Sequence, residues 1–154
     1  DAVEVAGTIV AVATDDAKAL TAERDETERA GLLRTLGIAE GAAVPPAVRS
    51  QLSALEDEQK RRATRSLRDG IDRVLTDLES MFRDVLMLQF GRDAVLINRE
   101  LQPELRALAA AWTPERTLTA VDRIGATREN LELNAAPLLA LESMLITVAS
   151  GRIP

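Results

Sequence analysis

Between Pro45 and Gly91 the apolar positions recur in steps of three and four: Val48, Leu52, Leu55, then Leu67, Ile71, Val74, Leu78, Phe82, Val85 and Leu88. That spacing places them on one stripe of a helix. Pro45 and Pro46 can occupy the first turn, where no N–H bond is lost, and the next proline is Pro103. Unbroken from Pro46 to Phe90, such a helix would be about 65–70 Å long at about 1.5 Å per residue, longer than a small compact domain. The stripe thins between Ala63 and Gly70, and Gly70 weakens the helix there. The pattern therefore predicts a core-forming half, Leu67–Phe90, preceded by a more exposed half, Pro46–Arg65.

Ahead of it, Val3, Ile9 or Val10, Ala13, Ala17 and Leu20 share one side of a first helix, which Val5 and Val12 broaden. It is expected from about Ala2 to Arg24, with room to continue through Asp25–Leu36, where Leu32, Leu33 and Leu36 cluster. Gly37 reads as a C-cap, and Gly37–Pro46 as a linker or exposed loop. After the long helix, Gly91-Arg92-Asp93 is a stop, and Val95, Leu96 and Ile97 form a short apolar plug. Asn98 is a candidate N-cap for a helix over Glu100–Ala111, with Leu101, Leu105 and Leu108 inward and Trp112 as a core anchor at its end. Thr113-Pro114-Glu115 is a helix start of N-cap, proline and acid. Leu118, Val121, Ile124, Arg128 and Leu131 map its inner side, Arg128 sits where the stripe leaves the core, and Gly125 allows a close helix crossing. Asn134–Pro137 makes a tight corner. The last helix lines one side with Leu138, Leu141, Leu145 and Val148, widened by Leu139 and Ile146, and ends at Gly151–Pro154. So broad an apolar surface belongs to a central helix or to one that also meets a partner.

The sum is an all-α bundle of five to six helices with one long helix, read as a single domain over residues 1–154. Its parts are an N-terminal helix region (1–36), the linker (37–46) and the main bundle (47–150). No repeat of solenoid period is visible. Composition agrees: aromatics are 2% of the 154 residues, leaving Leu, Ala and Val to build the core, and Tyr is absent.

Charge and chemistry narrow the function by exclusion. The net charge of -6 argues against wrapping nucleic acid unaided. The run Glu56–Arg62, followed by Arg65, Arg68 and Arg73, is bipolar. Glu56 with Lys60, Glu58 with Arg62, and Asp69 with Arg73 are four apart in the favourable order, so a solvated face laced with ion pairs is expected. The alternative is a basic surface, Lys60–Arg73, for a partner. Asp15, Asp16, Glu23, Asp25, Glu26 and Glu28 read as a solvated acidic face, without the loop spacing a cation site needs. Asp77 and Asp84 are seven apart and read as ordinary polar or helix-pairing positions, not an acid–base pair. The chain has no Cys and no His, which excludes disulfides, thiolate chemistry and a zinc site of the usual kind. It carries no phosphate-binding glycine loop, nucleophile elbow or metalloprotease motif. No catalytic, cofactor-binding or metal-ligating residue is assigned, no cofactor is called for, and no enzymatic activity is expected of this chain. No stretch suits a membrane-spanning helix. The start, Asp1-Ala2-Val3, has neither Met nor a signal-like pattern, and is expected to be the interior of a longer polypeptide.

Three stretches together resemble a family: Arg61–Asp69 leading into Ile71–Gly91, then Trp112–Ile124 with Arg128, then Leu131–Val148. They are similar to the C-terminal region of the delta-prime subunit of bacterial DNA polymerase III, in its actinobacterial style. That family carries an aromatic-Arg-Asp step in its middle helix, here Phe82-Arg83-Asp84. At its last corner Asn134, Pro137 and Ala140 match, while Leu138 stands where the family has a basic residue. The resemblance covers Gln59–Val148 well and residues 1–40 more loosely. It implies the helical collar of the pentameric clamp loader, which places the sliding clamp on primed DNA. The implied partners are the C-terminal domains of the gamma/tau and delta subunits, with weak self-association allowed in isolation, in the cytoplasm, with little direct DNA binding. The ATP-handling AAA+ modules of such a subunit would lie upstream and are not in this sequence. The alternatives are the equivalent domain of gamma/tau, an unrelated helical interaction module, a DNA-binding domain using Lys60–Arg73, and an enzyme acting through carboxylates.

Overall fold

The computed structural model describes residues 1–39 and 42–151. Among them the regular elements are five α-helices and two short 3-10 turns, with no strand. The helices are α1 (Ala2–Thr35), α2 (Pro46–Gln89), α3 (Gln102–Ala111), α4 (Pro114–Glu132) and α5 (Pro137–Ser150), and the turns are Asp93–Val95 and Arg99–Leu101. The all-helical reading holds. The expected first helix takes its longer option, to Thr35, and α2 runs without interruption past Gly70.

Three helix ends use one device. At Gly37, Gly91 and Asn134 the backbone turns to φ of 70°, 68° and 68°. The next N–H then reaches back to the carbonyl five residues earlier: Ile38 to Leu33 (3.0 Å), Arg92 to Met87 (2.7 Å) and Ala135 to Asn130 (2.9 Å). These Schellman closures satisfy carbonyls that the helix end would otherwise leave bare. Glycine suits the left-handed position, and Asn is the side-chain-bearing residue that tolerates it best. Starts are equally local: Thr113 Oγ1 accepts from the Arg116 N–H at 3.3 Å, with Pro114 in the first turn. The expected Gly37–Pro46 connection keeps Gly37 as its cap, while Glu40 and Gly41 lie outside the described residues, as do Arg152, Ile153 and Pro154 of the expected C-terminal stop.

Contacts divide the chain into two units, Asp1–Val10 with Ile71–Pro154, and Ala11–Gly70. The second unit is a hairpin of the α1 and α2 segments. Its buried residues are small or few: Ala13, Ala17, Thr21 and Leu52. A Cβ placed on Gly70 would lie 3.5 Å from that of Ala13, an ordinary contact, so small residues let the two helices come close. Leu20, expected on the inner side, is exposed. Charge takes the place of apolar bulk. Arg62, with its side chain only 15% exposed, donates to Asp25 at 2.6 Å and to both oxygens of Glu28 at 3.0 and 3.1 Å. Gln59 adds a bond to the Asp25 carbonyl, and Arg29 pairs with Glu56 at 2.8 Å. The within-helix pairs expected from spacing give way: Glu58 is held by Arg61 and Arg65, and Lys60 turns to Asp57. The reason is geometric. Arg62 and Glu56 face α1, where carboxylate and guanidinium partners wait, so they leave their own helix.

In the first unit, Ile71, Leu75, Val85, Leu105, Ile124 and Leu141 are fully sequestered, and α4 packs on α5. The inner face of α4 is Thr117, Ala120, Ile124, Thr127 and Leu131. Leu118, expected inward, is 48% exposed. Gly125 meets nothing within 4 Å of an added Cβ, so no close crossing depends on it. On α5 the buried set is Leu141, Met144 and Thr147, with Leu138 exposed.

Two outcomes test this packing. Leu75→Ala should cost about 2–4 kcal/mol in urea unfolding followed by Trp112 fluorescence, whereas Leu118→Ala should cost under about 1 kcal/mol. Equal losses would place Leu118 in the core after all. In the hairpin, Arg62→Ala should speed amide exchange across residues 21–30 and 52–62, and salt should speed the wild type in the same place. Unchanged protection would show that the ion pairs are idle.

Candidate functional site

α2 carries the sequence Ser80-Met81-Phe82-Arg83-Asp84, and Asp84 lies off the apolar stripe of that helix. It is nevertheless completely buried. The chain after α2 folds back over it, and its carboxylate collects that segment's free donors. Oδ2 accepts the Asn98 N–H at 2.7 Å, the Ile97 N–H at 2.9 Å and the Asn98 side-chain amide at 2.9 Å. Oδ1 accepts from Arg83 at 2.8 Å and from the Ile97 N–H at 3.2 Å. Asn98 also donates to the Ser80 hydroxyl at 3.0 Å, and Arg83 to the Val95 carbonyl at 3.2 Å. Burial pushes this carboxyl up, but the backbone N–H groups of Asn98 and Ile97, the Asn98 amide and the Arg83 charge outweigh it and hold it below the ordinary aspartate value. Its lone pairs are committed and it stays ionised, so it is a fixed acceptor and not a proton carrier.

This corrects two expectations. Asp84 is not an ordinary polar position, while Asp77 is exposed. Asn98 caps no long helix: it precedes the 3-10 turn Arg99–Leu101 without a side-chain cap bond, and α3 begins only at Gln102. Its side chain is spent on Asp84 and Ser80 instead. The plug is also split. Leu96 is buried, whereas Val95 and Ile97 are half or more exposed. Helical periodicity could not reveal this, because Asp84 is buried by a segment thirteen residues on, not by its own stripe. The aromatic-Arg-Asp step was the available signal.

Two further clusters tie the unit together. Arg128 reaches α2 with a forked grip, Nε to Asp72 at 2.7 Å, a terminal nitrogen to the other Asp72 oxygen at 3.3 Å, and a second to Glu79 at 2.9 Å. It sits at the edge of the core, as expected. Trp112 stacks on Phe82 with centroids 5.5 Å apart and planes 20° apart, and Arg116 lies over the Trp112 ring at 4.0 Å. Arg116 also donates to the Ala149 carbonyl at 2.9 Å, near the end of α5. Gln89 donates to the Trp112 and Ala109 carbonyls at 2.9 and 3.4 Å, closing the end of α3.

The structure spreads the remaining candidates rather than converging them. Much of the Lys60–Arg73 run is neutralised by neighbouring acids. Among the described residues, no group of three or more acidic side chains is placed to hold a metal ion, and no helix is long and apolar enough to cross a membrane. The first unit instead exposes apolar side chains. On α5 these are Leu138, Leu139 at 66% and Ile146 at 53%; on α4 it is Leu118, just after α4 Leu133, and after α2 come Phe90, Val95 and Ile97. Leu139 and Ile146 are seven apart, with Ser143 between them and Glu142 as the one charged residue of α5. Such a face suits packing against another helix.

The carboxylate's role gives a clean titration. Asp84→Ala should destabilise the unit by about 1–3 kcal/mol, because the part-buried N–H groups of Ile97 and Asn98 lose their acceptor. Asp84→Asn should also be weaker at pH 7. The folded acid is below its unfolded value, so the stabilisation is complete above about pH 4 and is lost as pH falls through the depressed folded value. The gap between wild type and Asp84→Asn in urea midpoints should therefore close below pH 4. A gap independent of pH would deny the role to the ionised form.

Comparison with known proteins adds one finding. The model of the family described as "DNA polymerase III, delta subunit, C terminal" matches residues 50–149, a span that holds nearly all of α2 and α5 and the whole of α3 and α4. Neither the search of curated proteins nor that of solved structures returned a match.

Proposed function

Since this chain belongs to the family of C-terminal domains of the DNA polymerase III delta subunit, which are clamp-loader domains, we propose that it is the collar domain of a delta-prime subunit. In that role it holds the rest of its polypeptide in the pentamer that loads the sliding clamp on primed DNA, and it performs no catalysis itself. Its partners are the C-terminal domains of the gamma/tau and delta subunits. The observation that carries this reading is the family match over the same helices that expose Leu138, Leu139 and Ile146.

The finer assignment to delta-prime draws support from two motifs. The aromatic-Arg-Asp step has a physical role here, in that Asp84 shapes the turn after α2. The Asn134…Pro137 corner has one too: Asn134 takes the left-handed turn at the end of α4, and Pro137 opens α5. The chemistry is consistent with a brace. Many of its charges close on one another as ion pairs, and α5 exposes Leu138, Leu139 and Ile146.

The test is assembly. The purified chain should fold, leave ATP unhydrolysed, and form a complex with the gamma/tau C-terminal domain by light scattering at tens of micromolar. Leu139→Asp with Ile146→Asp should abolish that complex while leaving the circular dichroism and urea midpoint nearly unchanged, as both residues are exposed. Strict monomers in the wild-type mixture would overturn the proposal. A complex indifferent to the double variant would move the interface to another face.

A further inference from the structure

We draw no further inference here: the strongest candidate, the exposed apolar residues Phe90, Val95 and Ile97 around the turn that follows α2, carries nothing because nothing in the structure shows what covers them.

Discussion

A carboxylate without solvent access must find donors, and Asp84 finds them in the backbone of the next segment. An isolated buried ion would cost many kcal/mol, so the chain after Gly91 is not free to wander. It must bring the Ile97 and Asn98 N–H groups within 2.9 and 2.7 Å. That requirement sets how the long helix hands over to α3. The two 3-10 turns have no side-chain caps of their own, so their shape is imposed from α2. Leu96 is drawn inward as a result, and Val95 and Ile97 are left outside. The later helices then close on the same helix, through Arg128 on Asp72 and Glu79, and through Trp112 on Phe82.

The parts of this fold that were legible in the sequence are those written locally. Pro46, Thr113-Pro114 and Pro137 mark helix starts, and Gly37, Gly91 and Asn134 mark ends, because capping is decided by a few adjacent residues. The inner faces were less legible, and threonine is the reason. Thr21, Thr117, Thr127 and Thr147 are buried. Each hydroxyl donates to the carbonyl four residues back in its own helix, at 3.2, 3.2, 2.8 and 2.9 Å. With the hydroxyl so satisfied, the methyl behaves as an apolar group and faces the core. A stripe drawn through Leu, Ile and Val alone is therefore rotated, which is how Leu118 entered the expected core of α4 in place of Thr117. The burial of Asp84 was illegible for a different reason, since no local pattern encodes the return of a distant segment.

Charge pairing shows the same division. Spacing along α2 foresaw that its acids and bases would neutralise each other, but it assigned the wrong partners. An exposed pair within one helix gains only about 0.2–0.5 kcal/mol. A largely covered guanidinium shared between two carboxylates of a neighbouring helix gains a forked set of charge-assisted bonds. Arg62 takes the second option with Asp25 and Glu28, and its bonds to Glu28 draw that acid's pKa down. In a hairpin whose buried side chains are mostly alanine and threonine, such pairs also specify which face of α2 meets α1.

Magnitudes limit what the exposed apolar face can do on the proposed reading. Leu139 and Ile146 are already a third to a half covered, so covering the rest would return roughly 1–2 kcal/mol each. Association costs at least about 4 kcal/mol in lost freedom, before any side chain is ordered. Two residues on α5 therefore cannot hold a partner alone. A stable interface needs about 800 Å² from each side, so the contact must extend beyond Leu139 and Ile146 onto further surface. In a closed ring the requirement is shared, because each domain is gripped on two sides and the second contact forms within an assembly already made. A modest apolar face on a rigid helix is then sufficient in the ring and weak in isolation, which is the behaviour a collar domain requires.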